Sequence, residues 1–589
     1  MFGARFFVFV ISLAQLALAL RPDLRGPIVD VGYARYQGSF DSAHGLNVWK
    51  GIRYAAPPVG KLRWQAPVAP PPDNNRVTLA VDQPALCPQS GAAGTPVVYG
   101  FNSGPGDEDC LFLNVYTSPG ASSLPVLVWI HGGGYGVFGA TYDPSPMMNT
   151  NDNRFITVEI QYRLGAFGFL SSEEIQAHGR TNAGLLDQRF ALEWVQRHIS
   201  AFGGDPTRVT IGGESAGAGA ATLHALADGG KDSLLFNNII AASPFSPAIY
   251  NYNDPEPTQS YNDFAALVGC TENTFDCLVQ APTAILQNAS QVVSSSGLFG
   301  SFAFSPVIDG ELITTRPSQQ LLHGHVSGQR ILVGNNANDG VPLSDPDVID
   351  RDAFDRYIAQ RFPRFTDRDT AALNEVYQTE HSGSDNGTRF DTLGDSGPTA
   401  LNQSGMATGL QQTSFDIFAE TNFACPAQWL AEAFSHGHRQ AWKYQYSVTP
   451  AYHGADLVAI FPVADSTWPS PEFNRALHKM WGNFIVNDTP VISISDATGG
   501  KSNATVPVKY RGENDTIDWP VFTFSEPWQM DLNTTGGTIH ERIVTPALRY
   551  YIREGAGVVN AFRLADAYAW EGRVRRCAFW RDVSPRVPQ

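Results

Sequence analysis

Ser215 stands in Gly213-Glu214-Ser215-Ala216-Gly217, a G-x-S-x-G pattern that can hold a nucleophilic hydroxyl on a sharp strand-to-helix turn. The residues beside the serine are small, as a crowded turn requires. A serine attacks a carbonyl only with help. It needs a base for its proton, an acid to orient that base, and donors for the oxyanion that develops. The donors have a candidate upstream in His131-Gly132-Gly133-Gly134-Tyr135. Glycines there let successive backbone N–H groups face a cavity with no Cβ in the way. Gly133, Gly134 and Ala216, the residue after the nucleophile, are the candidate oxyanion donors. His131 is read as a structural support of that loop.

These groups need a rigid frame, and the sequence supplies one. Leu124 to Ile130 is a nearly continuous apolar run that ends at the glycine loop. Phe155 to Ile160, Thr207 to Ile211 and Gln329 to Val333 are similar runs. Apolar runs without alternation indicate strands buried on both faces, as in a parallel sheet. Asn182 to Phe202 carries Leu185, Leu186, Phe190, Leu192, Trp194, Val195 and Ile199 at helical spacing. A second helix is expected from Ala216 to Ala227. Strand, helix, strand is the α/β pattern. Ser382 to Thr413 and Asp496 to Asp515 are rich in Gly, Ser, Thr, Asn and Asp. Both are expected as surface excursions.

Composition limits the partners. The net charge of −17 argues against nucleic acid and anionic membrane surfaces. Arg5, the apolar stretch Phe6 to Leu20 and Ala17-Leu18-Ala19 together read as a secretory signal peptide over residues 1–19. Residues 20–589 are then expected as one catalytic domain. No later segment is apolar enough to span a bilayer, so no stable membrane insertion is expected. Six cysteines suit an oxidising compartment and leave the pairing open. Spacing favours Cys87–Cys110 and Cys270–Cys277 as local loops, with Cys425 and Cys577 as a long-range pair. N-x-S/T sequons stand at Asn288, Asn386, Asn402, Asn487, Asn503, Asn514 and Asn533. Pro490 makes Asn487 a poor acceptor, whereas Asn503, Asn514 and Asn533 lie in polar, turn-rich sequence.

Further blocks carry a resemblance. Lys50 to Gly60 (K-G-I-R-Y-A-A-P-P-V-G), Glu108 to Tyr116 (E-D-C-L-F-L-N-V-Y), Tyr162 to Leu170 and Phe202-Gly203-Gly204-Asp205-Pro206 flank the glycine loop and the serine. The chain resembles the type-B carboxylesterases, which include cholinesterases and certain fungal lipases. The resemblance implies an α/β-hydrolase fold with a mostly parallel central sheet, flanking helices and large insertions. It implies an ester hydrolase whose serine, acid and histidine follow in that order. Asn338-Asp339-Gly340 sits where the family usually has D-E-G, so Asp339 takes the place of the usual Glu. Asp is one methylene shorter, but can still accept a hydrogen bond from an imidazole. The alternative is that Asp339 caps a turn and Asp345 or Asp347 is the acid. His453-Gly454-Ala455-Asp456-Leu457 resembles the family's H-G-x-D/E-[LI] block, which makes His453 the base. The family's disulfide pattern supports the three proposed pairs. The implied reaction runs through an acyl-enzyme on Ser215, with no metal and no organic cofactor.

The ester itself is less legible. Cholinesterases carry a choline-binding tryptophan in the loop equivalent to Cys87–Cys110. Here that loop has no Trp, only Tyr99 and Phe101 as aromatics, which argues against a choline ester. The loop is expected to cover the site's mouth. Phe138, Phe245, Phe299, Phe302 and Phe304 are candidate pocket linings. The expected partner is a small-molecule ester, and the oligomeric state is left open. Two other readings stand beside hydrolysis. One is an acyltransferase or lactone-forming esterase on the same residues, and the other is a non-catalytic adhesion protein of the same family.

Overall fold

The computed structural model describes residues 26–588, apart from 96–103, 105, 232–233, 378–406, 408, 463–467, 506–514, 546–547 and 569–570. The expected signal peptide, Tyr99, Phe101, and the sequons at Asn386, Asn402 and Asn514 lie outside the described residues.

The apolar runs form the middle of an 11-stranded sheet. Its strands in chain order are β1 (Ser39–Asp41), β2 (Leu46–Arg53), β3 (Phe112–Thr117), β4 (Leu124–Ile130), β5 (Ile156–Ile160) and β6 (Gly204–Glu214). Then come β7 (Asn238–Ala242), β8 (Arg330–Asn336), β9 (Gln440–Tyr446), β10 (Trp528–Thr535) and β11 (Val559–Asp566). Their order in space is β11-β10-β9-β8-β7-β6-β4-β5-β3-β2-β1. From β5 through β10 all neighbours are parallel, and both flanks are antiparallel. This is the α/β-hydrolase fold.

The parallel strands lack alternation because both faces are covered. On β4, Val126, Val128 and Ile130 join the core on one side, while Leu127 and Trp129 join that on the other. The same division splits Ile331 and Val333 from Leu332 on β8. Each such fully buried side chain contributes roughly 1.5–3 kcal/mol of transfer free energy. One face is covered by α1 (Ala183–His198) and α2 (Ala216–Gly230), whose Leu185, Leu192, Val195, Leu223 and Leu226 belong to the first core. Helical backbone geometry in α2 stops before Ala227, close to the expected end. Beyond α1, Ile199–Phe202 tightens into a 3₁₀ turn.

Several expectations need correction. The excursion expected over 382–413 ends inside a helix. Gly409–Ala419 is α3, and its Gln412 and Thr413 are buried. The one expected over 496–515 begins inside the short helix Ile494–Thr498. Asn533 lies within strand β10 rather than in a turn, half-buried, with its side-chain oxygen turned to Thr534 N–H. Asn503, Asn288 and Asn487 are exposed, although Asn288 sits inside the helix Thr283–Ser295. The three disulfides are Cys87–Cys110, Cys270–Cys277 and Cys425–Cys577, the pairs that spacing favoured. The last ties α4 (Cys425–Ala433) to α6 (Glu571–Val583), with α5 (Pro471–Asn487) packing on the opposite side of the sheet.

Candidate active site

Strand β6 ends at Glu214 and α2 begins at Ala216, so Ser215 is the whole turn between them. Its backbone adopts φ 58°, ψ −127°, a conformation that costs on the order of 1–3 kcal/mol for a non-glycine residue. Main-chain bonds hold it there. Ser215 N–H donates to Ala242 O (3.0 Å), and Ser215 O accepts from Phe245 N–H (2.9 Å). The flanking glycines are dictated by crowding. A Cβ on Gly217 would come within 2.0 Å of Ile130 O, and one on Gly213 within 2.4 Å of the Gly217 carbonyl carbon.

Ser215 lies at the carboxyl end of the parallel strands, where open α/β sheets place their ligands. Two neighbouring strand ends deliver the other groups. Asp339 follows β8 and His453 follows β9, and the two loops are laced together. Asn338 N–H donates to Ala451 O (2.9 Å), and His453 N–H donates to Val341 O (2.8 Å). Asn336 Nδ2 donates to Tyr452 O at 2.9 Å.

His453 Nε2 is 2.8 Å from Ser215 Oγ, and His453 Nδ1 is 2.9 Å from Asp339 Oδ1. A carboxylate only accepts, so the proton belongs on Nδ1, leaving Nε2 to accept from the serine. The other oxygen of Asp339 is also committed. Oδ2 accepts from Asn336 N–H (2.7 Å) and from Ser243 Oγ (3.0 Å). Asp339 is fully buried, which suits a shorter acid drawn close to the ring. Asp345 is half-buried and bonds the backbone of exposed Asp347. The chain of contacts therefore runs through Asp339 and not through either alternative acid.

The glycine loop meets the elbow directly. A Cβ on Gly132 would lie 2.7 Å from Glu214 O and 3.0 Å from Ser215 Cβ. Gly133 and Gly134 have φ of 98° and 60°, which turns consecutive N–H groups out of the chain path. The N–H groups of Gly133, Gly134 and Ala216 donate to nothing else among the described residues. The His131 ring stacks on Tyr162 (4.5 Å between centroids), and the Tyr162 hydroxyl donates to His131 O. Burial pushes the His131 imidazole down to about 4, so it stays neutral. The Cys87–Cys110 loop is fastened to this region. Ser90 N–H donates to Gly136 O, and Phe138 N–H donates to Gln89 Oε1.

Two further carboxyl groups surround the imidazole, and neither was singled out from the sequence. Glu214 Oε1 lies 3.4 Å from His453 Nε2. Asp456 accepts from Asn336 Nδ2 at 3.1 Å. Burial raises Glu214 to about 8 and Asp456 to about 6. Burial also works against charge on His453 itself, but Glu214, Asp339 and Asp456 outweigh it and raise its pKa above the ordinary value. Glu214 occupies a variable position of the G-x-S-x-G motif, where residue type alone gave no signal, whereas Asp456 stands at the acidic position of the His453 block.

Aromatic rings wall the site. Phe423 packs on His453 with centroids 4.2 Å apart. It belongs to a π-helical turn, Glu420–Ala424, between α3 and α4. Phe245 touches both Phe423 (5.4 Å) and Phe302 (6.3 Å). Phe302 covers Gly134 so closely that a Cβ there would strike its ring at 2.1 Å. Phe245 and Phe302 also line a cavity of about 310 Å³, with Phe418, Thr421 and Asn422. Of the expected lining residues, Phe138 sits over Gly133 and Phe299 against Gly94. Phe304 is core instead, edge-on to Phe264. Among the described residues, no group of three His, Cys, Asp or Glu is arranged to hold a metal ion, and no helix is long and apolar enough to cross a membrane.

The sequence matches the model of the carboxylesterase family over residues 25–548. It is 31% identical over 504 residues to carboxylesterase patB of Aspergillus clavatus, covering 75% of this chain and 84% of that protein. It is 31% identical over 455 residues to secreted lipase 1 of Botryotinia fuckeliana, covering 71% and 77%. The fold superposes on the crystal structure of Aspergillus niger EstA with a TM-score of 0.74 and 26% identity, covering 96% of this chain and 99% of that one. With a serine elbow, a glycine loop and a buried imidazole meeting at the carboxyl ends of the central strands, the chain belongs to the carboxylesterase family and is a carboxylic ester hydrolase.

Proposed function

We propose that Ser215 is the nucleophile, His453 the general base and Asp339 the acid of a two-step ester hydrolysis. The observation that carries this is the unbroken path from Ser215 Oγ through His453 to Asp339, with contacts of 2.8 and 2.9 Å. Ser215 Oγ attacks the ester carbonyl while Nε2 takes its proton. The N–H groups of Gly133, Gly134 and Ala216 stabilise the tetrahedral oxyanion. The imidazolium then protonates the departing alcohol, and water, activated by the same nitrogen, releases the acid from the acyl-enzyme. Asp339 holds Nδ1–H in place and stabilises the imidazolium without taking its proton.

The protein acts in the secretory pathway or outside the cell, as residues 20–589 remaining after removal of the signal peptide. The disulfides support this, as does the likeness to a secreted lipase. The test is hydrolysis of a p-nitrophenyl ester series of increasing acyl length by wild type and Ser215→Ala. Hydrolysis is expected from wild type alone, and equal rates would refute the serine mechanism. Product formed mainly by transfer to an added alcohol would point to an acyltransferase instead.

A further inference from the structure

Lys443 is buried in the middle of β9, only 3% exposed, and the reaction above makes no use of it. It stands in register between Val333 of β8 and Gln529 of β10. Nζ donates to two amide oxygens, Asn335 Oδ1 at 3.1 Å and Gln529 Oε1 at 3.0 Å. Among the described residues no carboxylate is within ion-pair distance of it. A buried ammonium with no direct counter-ion is costly, and an apolar residue would fill the same place in the core without that cost. Its neighbours explain where its field goes. Asn335 adjoins Asn336, whose N–H donates to Asp339, and whose side chain bonds Asp456. On the same side, Arg573 of α6 donates to Gln445 and lies 3.5 Å from Glu420. Arg576 pairs with that same Glu420 through two bonds of 2.6 Å. Asp531 of β10 accepts from Ser447, and Asp416 of α3 accepts from Gln412. Asp339 favours the charge on Lys443 and Arg573 opposes it. Three carboxyl groups crowd His453 on the other side of Asn335 and Asn336.

Resting on the Ser215–His453–Asp339 reading, we propose that Lys443 is a positioning residue of the triad. From behind the acid-bearing strand, its ammonium steadies the Asn335–Asn336 segment that holds Asp339. It also offsets part of the carboxylate field at His453, so that the imidazole remains free to accept the serine proton. Removing this cation leaves the carboxylates uncompensated and makes the imidazolium more stable. Burial and Arg573 push Lys443 down to about 7, so the compensation is present in acid and fades above neutrality.

The test is the pH dependence of kcat/KM for wild type, Lys443→Met and Lys443→Arg. Lys443→Met is expected to move the acid limb up by about 0.5–1 pH unit, a roughly 3–10-fold loss below pH 6. Its rate should converge with wild type above about pH 8, where the lysine is neutral. Lys443→Arg keeps the charge and should return the limb to its wild-type position. An equal loss at every pH, or an unmoved limb, overturns the proposal. Should Lys443→Met not fold, Gln529→Glu decides, because a carboxylate set on Nζ must also raise the limb. Loss of the triad reading itself would appear separately, as full activity in Ser215→Ala.

Discussion

Replacing Asp339 by Asn removes one charge and almost no volume, and the surroundings dictate how the amide must sit. Oδ2 of Asp339 accepts from two donors, Asn336 N–H and Ser243 Oγ, while Oδ1 accepts from His453. An amide has a single oxygen, and that oxygen is drawn to the position with two donors. The NH₂ then faces His453 Nδ1 and donates to it. The ring's proton moves to Nε2, the nitrogen 2.8 Å from Ser215 Oγ, and the imidazole can no longer accept from the serine. The imidazolium also loses its facing anion. A wrong tautomer of this kind lowers kcat by about 10⁴-fold, or ~5.5 kcal/mol of barrier. KM should change little, because Asp339 is fully buried behind the ring. Steady-state kinetics on a p-nitrophenyl ester reads the loss, and a thermal melt verifies the fold. Asp339→Glu restores the family's usual acid but adds a methylene to an enclosed site, at about 1–3 kcal/mol. It should therefore be impaired yet outperform Asp339→Asn. More than about a tenth of wild-type kcat in Asp339→Asn would refute the reasoning, since another acid would then be orienting His453.

Two further outcomes follow from the same geometry. Only neutral His453 can take the serine proton, and its pKa is raised by the surrounding carboxyl groups against the effect of burial. The kcat/KM profile should therefore rise with pH through an apparent pKa above the ordinary imidazole value of about 6.5, as titration over pH 5–8 will measure. Gly134→Ala must displace Phe302 and strains a backbone at φ 60°, moving an oxyanion donor. Its kcat should fall about 10²–10³-fold while the melting temperature changes little, and a near-wild-type kcat would remove Gly134 from the oxyanion role.

Some of this site is local in sequence and some is not. The elbow is local. Gly213, Ser215 and Gly217 are legible because a tight turn crowds Gly213 against Gly217, although the space at Gly217 is closed by Ile130 of β4. The parallel strands are legible for a similar reason, since burial on both faces writes an unbroken apolar run. Turn-rich composition was a weaker guide. Gly409–Thr413 and Asn533 looked like loop, yet tertiary packing drew them into a helix and a strand.

By itself, then, the sequence determined which residues could attack a carbonyl, the order in which they come, and the sheet that must carry them. Only the tertiary structure decided their surroundings. Glu214 and Phe423 reach His453 from separate elements, and no spacing in the chain encodes their proximity to it. The physical reason is that a strained turn is specified by neighbours in the chain. The electrostatic environment of a buried imidazole is specified by burial and by charges brought together only on folding.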